Sequence, residues 1–208
     1  EISLGLVGSE MCIRDRFTPP YSLFSKKDYK SLYESSSRAD REELYRWIEY
    51  YKIKFKSRVY TPLNNSEKYT LVLMGRADFG LLGSYNKYKQ TPFETFHVGG
   101  DGMTGSYTYA TETIGLRGYD NGALTPYSDG RAYTRFSMEL HFPFLLQPSS
   151  TIYGLAFVEG GNAWTSLENF NPFSLKRSAG VGVRIFLPMI GLMGIDWAYG
   201  FDKVQGEK

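Results

Sequence analysis

The sequence has 208 residues, of which 42% are hydrophobic and 16% aromatic, and its formal net charge is +2. Because 24 basic residues are nearly balanced by 22 acidic ones, no global field argues for a nucleic-acid partner. No stretch reaches the roughly 18 consecutive apolar residues that a membrane helix needs, and the single cysteine excludes an internal disulfide framework and a CxxC metal or redox site.

The first sixteen residues, EISLGLVGSEMCIRDR, differ in character from the rest of the chain. They lack the basic start, the long apolar core and the small-residue cleavage site of a signal peptide. They resemble translated adapter sequence of the kind found at the ends of assembled reads. We therefore predict that residues 1–16, including Cys12, are non-native, and that the chain is a fragment whose true N-terminus is missing.

A short helix is predicted within SSSRADREELYRWIEYY. Asp40 followed by Glu43 resembles a capping pair. An apolar stripe recurs at helical spacing, with the members Leu44, Trp47, Ile48 and Tyr51. The preceding residues, Phe17 to Ser37, are aromatic and polar with two prolines, and are predicted to be a strand end followed by a loop.

After this point the hydrophobic period changes to two, which indicates β-strands. The alternating segments are YYKIKFKSRVY, YTLVLMGRADFGLL, RAYTRFSMELHF, KRSAGVGVRIFL and GLMGIDWAYGFD. Each has an apolar face opposite a polar or charged one. The segments are about ten residues long or longer, whereas strands of soluble proteins typically have about 5–6 residues. A mean hydropathy of −0.35 suits a transmembrane β-barrel, because only alternate residues of its strands face lipid.

One further strand, TIYGLAFVEGGNAW, fits the alternation less well. Tyr153, Leu155 and Phe157 have the same parity as Glu159, so three apolar side chains and one carboxylate share a face. We predict that this strand either packs something apolar inside the barrel or contains a bulge.

The connections between strands also alternate in length. FPFLLQPSST and LPMIG are predicted to be short turns. Residues His97 to Gly130 form a long, Gly-rich segment, which is predicted to be an outer loop that folds into the barrel. Its apolar side chains would provide the packing surface: Tyr107, Tyr109, Ile114, Leu116, Tyr119 and Tyr127.

Within this loop, TIGLRGYDNG holds Arg117 between glycines that favour close backbone approach. A guanidinium there suits bidentate binding of carboxylates. Alternation puts Glu139 and Glu159 on the inner faces of two successive strands, and adjacent strands lie about 4.8 Å apart. The sequence therefore predicts that Arg117 latches the loop to the inner wall through these two glutamates.

The segment around Arg117 also carries a family resemblance. GLRGYDNG resembles the VRGF/VRGY loop signature of the BamA family of outer-membrane assembly barrels, with Leu116 in place of the usual valine. The similarity runs in order from about Trp47 to Lys203. It includes the segments FETFHVGGDGMTG, RFSMELHFPF, AFVEGGNAW and RSAGVGVRIFLPMIGLMGIDWAYGFDK.

This resemblance implies an all-β fold, in which residues 17–208 are the C-terminal portion of a 16-stranded antiparallel transmembrane β-barrel of the bacterial surface antigen type. The long loop 97–130 would fold inward, and POTRA domains would precede the barrel. In the family the loop arginine pairs with acidic residues of the following strands, which correspond to the pair that alternation puts inside. The implied latch residues are Arg117, Gly118, Tyr119, Glu139 and Glu159.

The function implied by the resemblance is assembly and insertion of β-barrel proteins in the bacterial outer membrane, without enzymatic activity or a cofactor. The implied partners are nascent outer-membrane β-barrel proteins, accessory assembly lipoproteins and outer-membrane lipid, and not nucleic acid. A TamA-like or two-partner secretion transporter with the same loop signature is an alternative. A passive porin-type channel is another, although it should lack the arginine latch. The latch itself could be purely structural.

Other chemistry has weaker support in the sequence. His97 and His141 have no partners at metal-ligand spacing, so we predict no metal site. An arginine between Glu139 and Glu159 would keep both ionised, which disfavours a general acid for hydrolysis. The row Lys52, Lys54, Lys56 and Arg58 is interpreted as a lumen or interface face of one strand and not as a nucleic-acid patch.

Overall fold

The computed structural model describes residues 8–25, 27–64, 70–102, 111–127, 129–147 and 150–204. These residues form three short helices and nine strands. The helices are α1 (Tyr21–Phe24), α2 (Tyr29–Glu34) and α3 (Arg38–Tyr45). The strands are β1 (Gly8–Phe17), β2 (Tyr51–Pro62), β3 (Val72–Gly83), β4 (Phe96–Val98), β5 (Glu112–Ile114), β6 (Ala132–Gln147), β7 (Ser150–Trp164), β8 (Lys176–Leu187) and β9 (Gly191–Gly200).

Seven of the strands form one antiparallel sheet in the order β1-β2-β3-β6-β7-β8-β9. Within the described ranges this sheet is open, with β1 and β9 at its edges. No helix in the described part of the chain is long and apolar enough to cross a membrane. The predicted all-β, antiparallel architecture is confirmed.

The two faces of the sheet follow the predicted alternation. One face leaves large apolar side chains exposed, for example Val181, Ile195 and Trp197. The opposite face buries polar groups such as Lys52 and Ser178 against the loop and the neighbouring strands. An apolar outward face with a polar inner face is the pattern of a wall between lipid and a wet lumen.

Strand β7 packs apolar side chains on its inner face, which decides between the two alternatives that its sequence left open. Leu155 and Phe157 are buried there beside Glu159. The register irregularity of this strand pair lies on the other strand, between Pro143 and Leu145 of β6.

The connection between β3 and β6 covers residues 84–131, and its described part contains secondary structure that was not predicted for the loop 97–130. Its short strands β4 and β5 form a separate parallel pair. Phe96, Val98 and Ile114 from this pair pack with Leu82 and Tyr133 of the sheet into one buried cluster. The loop therefore lies on the inner wall, as predicted. Tyr127 is exposed instead of packed, and Tyr107 and Tyr109 lie outside the described residues.

The predicted helix is present as α3, and Phe17 ends strand β1 as predicted, but three local predictions were wrong. Residues Phe17 to Ser37 contain α1 and α2, and α3 follows Ser37 as its N-cap, so Asp40 and Glu43 are not its capping pair. Glu43 forms an ion pair with Lys27. FPFLLQPSST is mostly strand, because β6 continues to Gln147 and β7 starts at Ser150.

The other turn and the N-terminal segment have different outcomes. LPMIG is a turn, in which the Ile190 N–H donates to the Leu187 carbonyl at 3.1 Å. Residues Gly8–Phe17 pair with β2 as an exposed edge strand. That residues 1–16 are non-native remains a prediction.

Candidate functional site

The loop backbone touches the inner wall at Gly118. Its φ is +89°, a left-handed conformation that side chains rarely adopt. A Cβ on Gly118 would lie 2.9 Å from Ser178 Cβ and 3.0 Å from the backbone nitrogen of Gly200. A Cβ on Gly200 would in turn lie 2.6 Å from the Gly118 carbonyl oxygen. Glycine at both positions therefore allows the loop and β9 to approach closely.

Arg117 is fixed on β7 by both its backbone and its side chain. Its backbone N–H donates to Glu159 Oε2 at 2.9 Å, and its Nε and Nη2 donate to Glu159 Oε1 at 3.1 and 2.6 Å. The Glu159 side chain has no exposed surface, and that of Arg117 is 13% exposed. Hydrogen bonds between ionised groups are stronger than neutral ones, and their two-point geometry fixes the guanidinium plane.

The same guanidinium reaches two further carboxylates on the inner wall. Nη2 also donates to Glu139 of β6, and Nη1 donates to Asp196 Oδ2 of β9 at 3.4 Å. Asp196 is held by Arg184 of β8, whose Nη1 and Nη2 lie 2.5 and 2.7 Å from its oxygens. One loop arginine thus contacts carboxylates from three strands.

An aromatic ring completes the contacts of Arg117. Its guanidinium carbon lies 3.6 Å from the centre of the Phe157 ring. A cation over the face of an aromatic ring is attracted by the ring quadrupole, and the attraction is larger when both groups are shielded from water. Phe157, one of the apolar inner residues of β7, therefore forms the surface against which the arginine stacks.

Additional polar groups surround Glu159 and Glu139. Arg135 Nη2 donates to Glu159 Oε1 at 2.7 Å, and Ser137 Oγ donates to the same atom at 3.1 Å. His141 Nε2 lies 2.9 Å from Glu139 Oε2. We call Arg117, Glu139, Glu159, Asp196 and Phe157 the loop latch.

Charge within this region is balanced. The guanidinium groups of Arg117, Arg135 and Arg184 face the carboxylates of Glu139, Glu159 and Asp196. Burial alone would lower the pKa of Arg117, but hydrogen bonds and attraction from Glu159 and Glu139 outweigh it and raise that pKa. The latch arginine therefore stays charged at any physiological pH.

Tyr119 attaches the loop one step further along. Its hydroxyl donates to the Arg177 carbonyl at 2.6 Å and accepts from the Asp202 N–H at 3.4 Å. Asp202 itself binds the Arg177 guanidinium through both oxygens. These hydrogen bonds from Arg177 lower the pKa of Asp202 to about 2.

The geometry around Glu139 and Glu159 suits binding and positioning. The carboxylates of Glu139 and Glu159 are occupied by arginines, which disfavours the protonated form that a general acid needs. Among the described residues no group of three or more His, Cys, Asp or Glu side chains could hold a metal ion.

Of the residues predicted for the latch, Arg117, Glu139 and Glu159 are in direct contact. Gly118 packs against Ser178 and Gly200, and Tyr119 binds the Arg177 carbonyl. Sequence analysis missed the roles of Phe157, Arg135 and Asp196. Parity alone had already put Arg135 and Asp196 on inner faces, but their pairing depends on strand register. For Phe157 the sequence showed only an apolar residue on the same face as Glu159, and it gave no reason for that position.

The chain is similar to known proteins in both sequence and fold. The model of the Omp85 superfamily domain matches residues 35–208. Among solved structures, the chain is similar to BamA from Haemophilus ducreyi lacking POTRA domains 1–3, with a TM-score of 0.65 and 20% sequence identity. That match covers 97% of this chain and 36% of the other. This chain thus spans little more than a third of the length of that solved chain, and the similarity is one of fold.

Proposed function

The chain belongs to the Omp85 superfamily, and from that membership we propose that it is part of a barrel that assembles and inserts β-barrel proteins into the bacterial outer membrane. Family and fold together assign the chain to that membrane. The proposed partners are nascent outer-membrane barrel proteins, accessory assembly lipoproteins and outer-membrane lipid. The proposed activity needs no cofactor and no bond chemistry.

The observation that carries this proposal is the loop latch. A porin-type wall needs no buried arginine that joins a loop to three strands. Here Arg117 contacts Glu139, Glu159 and Asp196 at once. Removing one partner of a buried ion pair leaves the other charge uncompensated, which typically costs about 3–5 kcal/mol. The latch therefore supports a specific, fixed loop position inside the barrel.

The proposed mechanism is physical. Unpaired edges of a β-sheet present backbone donors and acceptors that can template a new strand. An incoming client strand would add to such an edge by β-augmentation, with backbone hydrogen bonds providing affinity. The latched loop would hold the barrel wall in shape while client strands are added. Client binding would therefore depend on wall geometry more than on any single side chain.

The test uses the protein produced from its own gene in bacterial cells. The variant Arg117→Ala removes the latch, and Arg38→Ala is the control because Arg38 is an exposed arginine of α3 whose ion pair is with Glu42. The measurement is the amount of folded barrel proteins in the outer membrane, assessed by heat-modifiable gel mobility. The variant's own folding is followed in the same way.

The outcomes separate the candidate functions. A fall in many unrelated barrel proteins in Arg117→Ala, but not in Arg38→Ala, supports an insertase. Loss of a single exported protein would instead indicate a two-partner secretion transporter. A change only in small-solute permeability would indicate a passive channel. Normal barrel assembly with a folded Arg117→Ala variant would contradict the proposal.

A further inference from the structure

A second set of charges joins the loop to the sheet on the far side from the latch. The inner face of β2 carries a row of cations, of which Lys52, Lys54 and Lys56 lie beside Glu112 of the loop. This row therefore faces the loop inside the wall. Its contacts with the loop have no part in the latch.

Lys52 is the most buried member of the row, with a side chain that is 3% exposed. Its Nζ donates to the Glu94 carbonyl oxygen at 2.9 Å and to Glu94 Oε2 at 3.1 Å. It also lies 3.2 Å from Glu112 Oε2 and 4.7 Å from the centre of the Phe96 ring. All of these partners belong to the loop. Burying an unpaired ammonium would cost much free energy, so the number of partners around Lys52 indicates a specific binding arrangement.

Glu112 is held along the same row of cations. Lys54 Nζ donates to both of its oxygens, at 2.9 and 2.8 Å, and Lys56 lies 3.9 Å away. The Glu112 backbone N–H donates to the Thr95 carbonyl at 2.9 Å, beside the parallel pair β4 and β5. The lysines of β2 therefore bind the loop at its parallel strand pair, β4 and β5.

Backbone conformation at Glu94 also indicates a specific arrangement. Its φ is +65°, which is uncommon for a residue other than glycine and costs free energy. Such a conformation persists when surrounding contacts determine it, and here Lys52 binds both the carbonyl and the carboxylate of Glu94. Arg16 of β1 also pairs with Glu94, but the inference needs only β2 and the loop.

We propose that Lys52, Lys54, Glu94 and Glu112 form a second anchor, which positions the half of the loop that carries β4 and β5 independently of the latch. The two sites share no residue and use different strands: β2 for the second anchor, and β6, β7 and β9 for the latch. The loop would then be released from the wall in two separate steps. Its consequence for barrel assembly rests on the proposed function, but its existence does not.

Hydrogen exchange on the protein purified from the outer membrane into lipid nanodiscs tests this proposal. The amides of Phe96 and Val98, which donate to Gly130 and Thr125 at 2.8 Å, report on the second anchor. The amides of Leu116 and Arg117, which donate to Gly100 and Glu159 at 2.9 Å, report on the latch.

The variants are chosen so that one of them leaves the sheet intact. Lys52→Met removes the buried cation, and Glu112→Gln removes its partner from the loop without touching β2. Arg58→Met is the matched control, since Arg58 lies on the same strand and face as Lys52. Among the described residues its ion-pair partner is Glu10 of β1, at 3.9 Å, and not an acidic residue of the loop. Arg117→Ala releases the latch.

We expect Lys52→Met and Glu112→Gln to accelerate exchange at Phe96 and Val98 by about tenfold or more, with Leu116 and Arg117 unchanged. Arg117→Ala should have the reverse pattern, and Arg58→Met should change neither. Joint acceleration of both pairs in every variant, or no acceleration in Glu112→Gln, would overturn the second anchor.

Counting folded barrel proteins in cells that produce the same variants separates this inference from the proposed function. The expected exchange pattern together with normal barrel assembly in both Lys52→Met and Arg117→Ala would leave the second anchor in place and contradict the insertase function. Reduced assembly in Lys52→Met but not in Arg58→Met would support a positioning role for the anchor in that function.

Discussion

Glu159 binds Arg117 at two levels, because one carboxylate oxygen accepts the backbone N–H at 2.9 Å and the other accepts from the guanidinium at 2.6 and 3.1 Å. The side chain alone could rotate away and leave the loop in place. Because Glu159 also binds the Arg117 backbone, the loop cannot move away from β7 while the guanidinium stays bound, and the reverse also holds. Glu159 therefore fixes both the position of the loop and the direction of its arginine.

The first prediction concerns Glu159→Gln. Arg117 and Arg135 both bind Glu159 Oε1, so the amide would leave two buried cations without their shared counter-charge. We expect the free energy of unfolding to fall by about 3–5 kcal/mol, measured by denaturant titration in lipid nanodiscs. Glu168→Gln is the control, since Glu168 is exposed and should change stability by less than about 0.5 kcal/mol. Equal effects of the two variants would contradict a latch.

The second prediction concerns Gly118→Ala. Its φ of +89° is strained for alanine, and the new Cβ would meet Ser178 and Gly200 at 2.9 and 3.0 Å. We expect a cost of about 1–3 kcal/mol and faster hydrogen exchange at the Arg117 amide. Gly75→Ala is the matched control, because a Cβ on Gly75 would meet no described atom within 4 Å. Unchanged exchange at Arg117 in Gly118→Ala would rule out the close approach.

The third prediction concerns the stacking of Arg117 on Phe157. Lysine keeps the charge but loses the planar fork, and leucine keeps apolar volume but loses the ring face. In a double-mutant cycle of Arg117→Lys and Phe157→Leu, we expect a coupling free energy of about 0.5–2 kcal/mol. Strict additivity of the two single variants would show that the 3.6 Å contact contributes nothing to stability.

Much of the site could be predicted from the sequence because alternation determines which face a side chain occupies before any strand pairing is known. That was enough for Glu139 and Glu159. The Arg184–Asp196 pair needed the register of β8 with β9, which places Arg184 opposite Gly194, two residues from Asp196. Register depends on the whole sheet, and no single strand encodes it.

The wrong predictions have physical causes of the same kind. FPFLL was assigned to a turn because Pro143 lacks a donor, but Pro143 lies next to the register shift of β6, where an unpaired position is tolerated. Helix α1 has only four residues and no side-chain cap. Its Ser22 N–H is bound by Glu49 at 2.8 Å, a contact 27 residues away, so local sequence could not reveal it.

The last prediction concerns pH and Asp202. Its pKa is lowered from 3.8 to about 2 by hydrogen bonds from Arg177, so the folded state favours the carboxylate. The stabilisation of the folded state by the ionised Asp202 is fully present above pH 3.8, and it is lost as the pH falls from there through about 2. The Arg177 amide donates to Asp202 Oδ2 at 2.7 Å, and its NMR chemical shift should titrate with a midpoint near 2.

The control for this titration is Asp202→Asn, in which the Arg177 amide shift should not titrate. The Asp202 N–H also donates to the Tyr119 hydroxyl. An intact Arg177–Asp202 pair therefore keeps Asp202 in position to bind Tyr119 at mildly acidic pH. A midpoint at or above 3.8 in the unsubstituted protein would mean that the pair does not form in the membrane. The Tyr119 hydroxyl would then still donate to the Arg177 carbonyl, but the Asp202 N–H would no longer be held beside it.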